Sequence, residues 1–152
     1  MYPSLRPFNE AVLEKSFDWL SDPEVKFLTA TPDLSRDKQA AWFKSLPARS
    51  DYMLKAVFYK DSPIGVAGLK NVSTANKTGE YFGYIGDKTY WGKGIGRWML
   101  AETLKTAVGL GLDKVYLQVI VENYKAINLY FSLGFRINSL TEGKYNMEKP
   151  CK

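Results

Sequence analysis

Three glycines alternate along Tyr90-Trp91-Gly92-Lys93-Gly94-Ile95-Gly96-Arg97, directly before an apolar helical stretch. Glycine permits a positive φ and lets a ligand approach the backbone closely. The first N–H groups of a helix lack intrahelical acceptors and form the positive end of the helix dipole, so they attract anions. The segment therefore predicts a pyrophosphate held largely by main-chain N–H groups, with Lys93 and Arg97 adding positive charge.

Two other phosphate-binding loops are excluded by the residues that follow the glycines. A Walker loop ends in lysine followed by serine or threonine, whereas Gly96 is followed by Arg97 and Trp98. A dinucleotide fingerprint needs a glycine at position 97 within a βαβ unit, and the strands before this turn are expected to form an antiparallel meander. Two possibilities stay open, a diphosphate site of another kind and a turn that binds nothing.

A second segment, residues 123–135, reads Asn-Tyr-Lys-Ala-Ile-Asn-Leu-Tyr-Phe-Ser-Leu-Gly-Phe. Asn123 and Gly134 stand where a helix N-cap and a C-terminal glycine belong. The apolar spacing assigns most of the other side chains to the core. Only Tyr130 stays open between a core aromatic with its hydroxyl at the surface and a functional phenol.

Together the two segments resemble the cofactor half of the GCN5-related N-acetyltransferases (GNAT family), which use acetyl-coenzyme A. The helix of that family reads Asn-x-x-Ala-x-x-Leu-Tyr-x-x-Leu-Gly-Phe, and this chain matches it throughout. The resemblance implies that Tyr130 protonates the departing thiolate and that Asn123 contacts the pantetheine arm or orders the site. The family loop reads Gln/Arg-x-x-Gly-x-Gly, so Trp91 departs from it. The implied cofactor-binding residues are Ile85, Trp91, Gly92, Lys93, Gly94, Ile95, Gly96, Arg97, Asn123 and Lys125.

The transfer also needs a group that takes a proton from the amine. A lysine-like ammonium with a pKa near 10.4 is neutral in only about one molecule in 2,500 at pH 7, a handicap of about 4.6 kcal/mol. Glu80 is the predicted catalytic base or water-orienting residue, with a solvent-facing strand residue as the alternative reading and Asp87 as a second candidate. The family implies that a backbone N–H of Ile85 or Tyr84 polarises the acetyl carbonyl where two strands part.

The periodicity predicts an α/β fold with a mixed sheet in a single domain, residues 1–152. The expected order is β-α-α-β-β-β-α-β-α-β-β, with helices on both sides of the sheet, and it is the order of the GNAT fold, whose two central strands splay for the cofactor. The segment after Asp22-Pro23 is predicted as a turn or a short helix. Val115–Val121 is largely apolar and is predicted as a strand buried on both faces.

The composition excludes several classes of protein. The 152 residues include no histidine, which removes Ser-His-Asp and Cys-His arrangements and imidazole metal ligands. The single cysteine, Cys151, cannot form an internal disulfide, and neither a covalent acyl-enzyme nor a metal is expected. No stretch approaches the roughly 18 apolar residues of a membrane span, and no signal peptide is visible, so a cytoplasmic location without membrane contact is expected.

The net charge of +5 favours phosphate-bearing small molecules, and the scattered basic residues argue against nucleic acid as the main partner. The family resemblance implies that the acceptor is a small-molecule amine. The branch of the family that this chain resembles acts on nucleotide-linked amino sugars, ribosomal-protein N-termini and polyamines, and we rank the acceptors with the amino sugar first, a protein N-terminus second and a polyamine third. A non-catalytic acyl-CoA-binding regulatory module is the alternative of another class, and a homodimer is an open assembly state.

The acceptor side is expected from the helices before residue 47 and from the turn Thr74–Gly79. Aromatic residues in those helices either line this side or belong to the helix core; they are Trp19, Phe27, Trp42 and Phe43.

Overall fold

Seven strands and five α-helices make up the part of the chain that the computed structural model describes, residues 3–33 and 35–152. Residues 1, 2 and 34 of the predicted domain lie outside it. The elements are β1 (Pro3–Pro7), α1 (Glu10–Ser21), α2 (Pro23–Leu28), α3 (Arg36–Ser45), β2 (Met53–Tyr59), β3 (Ser62–Ser73), β4 (Thr78–Ile85), α4 (Ile95–Gly109), β5 (Lys114–Ile120), α5 (Tyr124–Ser132), β6 (Arg136–Thr141) and β7 (Lys144–Pro150). Short 3-10 turns span Leu46–Ala48 and Lys88–Tyr90.

Three helices rather than two precede β2, because the segment after Asp22 is a helix. The Asp22 carboxylate accepts hydrogen bonds from the backbone N–H groups of Glu24 and Val25, at 2.9 and 3.2 Å. A side-chain N-cap of this kind satisfies donors that the first turn leaves unpaired. Asn9 caps α1 in the same way, by accepting from the Val12 N–H at 3.0 Å.

The strands form one mixed sheet in the order β1-β2-β3-β4-β5-β7-β6. Neighbouring strands are antiparallel except β4 and β5, which run parallel. A parallel pair requires a crossover connection, and α4 supplies it. The structure confirms the predicted mixed α/β fold.

Helices cover the two faces of the sheet unequally. On one face, α1 places Val12 and Trp19 against Ala56 and Val66 of the first strands. On the other face, α4 and α5 bury a continuous cluster formed by Leu69, Tyr81, Leu100, Leu117, Ile127, Phe135 and Met147. Full burial of one such aliphatic side chain contributes roughly 1.5–3 kcal/mol, so this second cluster fixes α4 and α5 against the central strands.

The strand β5 is buried on one face only, which corrects the expectation of two buried faces. Val115, Leu117 and Val119 are buried, whereas Gln118 is exposed on the opposite side. Gln118 donates a hydrogen bond to the Asn146 side-chain oxygen of β7 at 2.9 Å, so that side is polar. We call it the open polar face; its residues are Tyr116, Gln118, Ser139, Thr141, Lys144 and Asn146.

Candidate active site

A V-shaped crevice opens where β4 and β5 separate. The two strands pair only from Thr78 to Glu80, opposite Lys114 to Tyr116, and diverge beyond those residues. The crevice encloses about 830 Å³. Predicted site residues that line it are Glu80, Ile85, Trp91, Gly92, Gly94, Ile95, Gly96, Arg97, Asn123, Lys125 and Tyr130, whereas Lys93 is exposed and does not.

The glycine turn at the mouth of the crevice presents free backbone donors. Gly92 and Gly94 have φ values of 75° and 81°, which side chains disfavour. Gly94 caps α4 without any side-chain hydrogen bond, and the first helical bond runs from Trp98 N to Gly94 O at 3.1 Å. The N–H groups of the first turn of α4 therefore remain available to an anion.

Trp91 holds the glycine turn against the end of β4. Its indole Nε1–H donates a hydrogen bond to the Ile85 carbonyl at 2.7 Å. The family pattern has a polar glutamine or arginine here, and this tryptophan instead uses its single donor within the protein. This bond fixes the glycine turn to a strand residue six positions earlier in the sequence, at the edge of the crevice.

The same bond indicates which backbone N–H of β4 points into the crevice. In an antiparallel pair, the N–H and C=O of one residue face the same neighbour, and the direction alternates along the strand. The Gly86 N–H faces β3, since it donates to the Ile64 carbonyl at 2.8 Å. Ile85 therefore faces away from β3 with both groups, and its N–H, rather than that of Tyr84, is directed into the crevice.

The helix α5 brings Tyr130 to the inner wall of the crevice. The Tyr130 ring contacts Tyr81 and Phe135, with centroid distances of 6.3 and 5.8 Å. Burial raises the pKa of Tyr130 to about 12, so the phenol keeps its proton at neutral pH. Its hydroxyl has no hydrogen-bond partner within residues 3–33 and 35–152.

Asn123 links the two sides of the crevice. Its side-chain oxygen accepts from the Ala126 N–H at 3.3 Å, which caps α5 as predicted. Its side-chain NH₂ donates to the Leu28 carbonyl at the end of α2, also at 3.3 Å. The helix that carries Tyr130 is thereby tied to the segment on the opposite side.

Glu80 lies at the closed end of the crevice, on the last paired residue of β4. Its Oε1 accepts from the Asn71 Nδ2 at 2.9 Å, and its Oε2 lies 3.9 Å from the Lys70 Nζ. The side chain is only 15% exposed, so it is not the solvent-facing strand residue of the alternative reading. Asp87, the second candidate base, instead caps the 3-10 turn through Thr89 and does not line the crevice.

Fewer segments of the chain contribute to the acceptor side than the sequence predicted. Within the described ranges, the only residues before position 47 that line the crevice belong to α2 and to the loop that follows it as far as Thr31. No residue of the turn Thr74–Gly79 lines the crevice, although the next residue, Glu80, does. Trp19 is buried, and Trp42 and Phe43 pack against Phe8. Phe27 is exposed.

Several crevice residues were not singled out in the sequence. They are Tyr81, Lys70, Gln118, Glu122 and Lys144, together with the end of α2. Strand alternation could have placed Tyr81 on the face of β4 that α5 covers. The others depend on strand register and on the separation of β4 from β5, for which the sequence has no local signal.

No helix in the described residues is long and apolar enough to cross a membrane. The same residues contain no cluster of histidine, cysteine or carboxylate side chains suited to a metal ion.

Comparison with known proteins identifies a family and a fold. The sequence matches the family described as Acetyltransferase (GNAT) family over residues 12–135. It is 28% identical over 135 residues to an uncharacterized protein of Methanocaldococcus jannaschii, covering 87% of this chain but only 28% of that protein. This chain thus spans little more than a quarter of the length of the curated relative that it matches.

Solved structures share the fold over nearly the whole chain. A domain from Methanocaldococcus jannaschii is 21% identical, with 98% of both chains covered and a TM-score of 0.85. The spermidine N-acetyltransferase from Vibrio cholerae, in complex with CoA and spermine, is 21% identical, with 97% of this chain and 95% of that chain covered and a TM-score of 0.86. The Campylobacter jejuni N-acetyltransferase PseH is 22% identical, with 97% of both chains covered and a TM-score of 0.74.

Proposed function

This chain belongs to the Acetyltransferase (GNAT) family, and we propose that it transfers an acetyl group from acetyl-CoA to the primary amine of a nucleotide-linked amino sugar. The observation that supports direct transfer is the crevice itself. It joins free N–H groups at the α4 terminus, a protonated buried phenol and an open polar face in one continuous space.

The cofactor diphosphate would bind at the first turn of α4. The positive φ values of Gly92 and Gly94 and the lack of a side-chain cap leave that turn open to an anion. Arg97 and Lys125 line the same region and add positive charge, and Lys93 adds charge from outside the crevice. The residues present therefore fit acetyl-CoA.

The thioester would lie between the parted strands, with the acetyl oxygen at the Ile85 N–H. A donor directed at the oxygen that becomes negative in the transition state is usually worth several kcal/mol. The amine nitrogen attacks the carbonyl carbon, and the C–S bond then breaks with its electron pair leaving on sulfur. No covalent acyl-enzyme is needed, and Cys151 does not line the crevice.

Tyr130 would donate a proton to the departing sulfur. Its pKa of about 12 lies roughly 3.5 units above that of an ordinary thiol, so complete proton transfer is uphill by about 5 kcal/mol. A hydrogen bond that strengthens as charge develops on sulfur is therefore the main contribution of the phenol. If Tyr130 gives up its proton to sulfur, it regains one from solvent or takes up the proton that the amine has released.

Glu80 would receive or relay the proton of the attacking amine. Asn71 and Lys70 occupy part of its hydrogen-bonding capacity, and a carboxylate retains further lone pairs for an amine or a water. An amino group on a sugar ring, whose neighbouring oxygens withdraw electrons, is less basic than a lysine-like amine and needs less help.

The charges around the crevice favour an anionic acceptor over a polycation. Glu24 is neutralised by Lys88 at 3.0 Å, and Glu80 lies beside Lys70. Of the acidic residues in the lining, only Glu122 has no ion pair within residues 3–33 and 35–152. Three basic residues of the lining have no ion pair within the same residues: Arg97, Lys125 and Lys144. A surplus of unpaired carboxylates, which a polyamine would require, is not found among these residues.

The open polar face provides room for the rest of such an acceptor. Gln118 and Lys144 belong both to that face and to the crevice lining. Asn146 connects Gln118 to Ser139 and Thr141 through hydrogen bonds of 2.9 to 3.1 Å. Amide and hydroxyl groups with an adjacent unpaired lysine match the hydroxyls and phosphates of a sugar nucleotide.

The proposal is tested by thiol release from acetyl-CoA against nucleotide amino sugars, the free amino sugars, peptides and polyamines. We expect the nucleotide-linked sugar to give the highest kcat/KM. A higher value for spermidine or for a peptide N-terminus would transfer the assignment to that acceptor. Acetyl-CoA binding without thiol release from any amine would indicate a non-catalytic module.

Lys144→Glu then tests the open polar face. We expect the KM for the nucleotide-linked sugar to rise about tenfold, while the KM for the free amino sugar changes little. Lys15→Glu is the control, because Lys15 is exposed on α1 away from the crevice and the change in net charge is identical. Equal effects of the two substitutions would contradict a phosphate contact at Lys144.

A further inference from the structure

Tyr81 is a buried tyrosine in the crevice that the proposed mechanism does not use. Its side chain is 4% exposed and belongs to the apolar cluster under α4 and α5. It also lines the crevice. Within the described ranges its hydroxyl has no hydrogen-bond partner, and no fully buried side-chain oxygen lacks one, so the hydroxyl reaches open space.

The phenol of Tyr81 lies along its own strand toward the parted end of the crevice. A Cβ atom placed on Gly83 would lie 2.4 Å from the Tyr81 hydroxyl oxygen and 3.0 Å from Cζ. Any side chain at position 83 would therefore displace this hydroxyl. Glycine at this position leaves room for the Tyr81 hydroxyl in the wall of the crevice.

The neighbour of Tyr81 on the α5 side is Tyr130. Their rings meet edge to face, with centroids 6.3 Å apart and planes at 76°. Burial is the main cause that raises the pKa of Tyr81, and Tyr130 is the titratable group that adds to this rise. Two tyrosine side chains thus contact each other in the wall of the crevice.

We propose that Tyr81 is a positioning residue for Tyr130, whose oxygen accepts a hydrogen bond from the Tyr81 hydroxyl while the Tyr130 proton moves to sulfur. This inference rests on the proposed function. The C–S bond breaks, its electron pair goes to sulfur, and the Tyr130 hydroxyl shifts its proton toward the developing thiolate. Tyr81 keeps its own proton and stabilises the negative charge that develops on the Tyr130 oxygen.

The physical need for a second donor follows from burial. A tyrosinate without a partner is strongly disfavoured in an apolar wall. Tyr81 is the tyrosine of that wall whose ring contacts Tyr130. A hydrogen bond to a charged acceptor is stronger than one between neutral groups, so its benefit is largest during proton transfer.

The test is a double-mutant cycle with Tyr81→Phe, Tyr130→Phe and the double variant, measured by thiol release at saturating acetyl-CoA. We expect Tyr81→Phe to lower kcat about tenfold and to leave the KM for acetyl-CoA unchanged. In the Tyr130→Phe background, Tyr81→Phe should cause no further loss, because its effect passes through the Tyr130 oxygen. Thermal unfolding of each variant verifies that the fold is retained.

Tyr145→Phe is the matched control, since Tyr145 packs against the same apolar cluster but does not line the crevice. A wild-type kcat for Tyr81→Phe would overturn the inference, and so would losses that multiply in the double variant. A raised KM with normal kcat would also overturn it by indicating a packing role. If Tyr130→Phe alone keeps wild-type kcat, the proposed acid role itself fails.

Discussion

The two halves of the crevice are built in different ways. The half that we propose for the cofactor comes from two short segments, residues 91–97 and 123–130, and depends on glycine conformation, a helix terminus and one tyrosine. The half that we propose for the acceptor combines side chains from α2, β3, β4, β5 and β7, from Glu24 to Lys144. A site made from backbone leaves a compact sequence pattern, whereas a site made from dispersed side chains does not. Changes in the first half should therefore affect all acceptors alike, and changes in the second should discriminate among them.

The largest expected effect is that of Tyr130→Phe in the cofactor half. Removing a general acid typically lowers kcat by about 10²–10⁴-fold, and the affinity for CoA should persist because the ring remains. Thiol release with three different amines checks that the loss is the same for each. Because the pKa of Tyr130 is raised to about 12, the phenol stays protonated below that pH, and the wild-type rate should not fall up to pH 10 through loss of this proton. An unchanged kcat would contradict the acid role.

Glu80→Gln should have the next largest effect and should depend on pH. At pH 9 the neutral fraction of a lysine-like amine is about 100 times that at pH 7, so less proton removal is required. We expect a loss of about 30-fold at pH 7 and a smaller one at pH 9, measured as kcat/KM. Glu102→Gln serves as the control, because Glu102 is a partly exposed, ion-paired carboxylate on α4, outside the crevice. A loss independent of pH would exclude a base.

Gly94→Ala tests the backbone character of the cofactor half. A left-handed conformation costs a residue with a side chain roughly 1–2 kcal/mol, so acetyl-CoA should bind about tenfold more weakly. Gly109→Ala, at the other end of α4, also meets nothing within 4 Å but has no positive φ, and it should leave binding unchanged. Calorimetric titration with CoA measures both. Equal Kd values for the two variants would show that the conformation at Gly94 does not matter for binding.

The smallest effect is expected for Trp91→Phe, which removes the hydrogen bond to the Ile85 carbonyl. A neutral hydrogen bond contributes about 1 kcal/mol, so KM for acetyl-CoA should rise about fivefold. Every acceptor should show the same change, as the bond belongs to the cofactor half. If only one class of amine were affected, the division into two halves would be wrong at this residue.

The comparison also explains what the sequence could predict. The mixed sheet, the glycine turn and the Asn123 cap follow from spacing that involves neighbouring residues, whereas the candidate role of Tyr130 follows from the family resemblance. The partners of Glu80 could not be predicted, because Lys70 and Asn71 reach it through the pairing of β3 with β4. The open face of β5 was missed because apolar content alone does not show that a helix is absent from one side. Tyr81 was missed because a buried tyrosine has the same sequence pattern whether its hydroxyl reaches a cavity or not.

The bond from Asn123 to the Leu28 carbonyl has a consequence for how this enzyme could diversify. Its acceptor atom belongs to the main chain, which every amino acid at position 28 would supply equally. Substitutions in α2 could therefore alter which acceptor the crevice selects, while α2 stays bonded to Asn123 at the start of α5. The Asn123 amide would then hold α5 in place while residues on the other side of the crevice change.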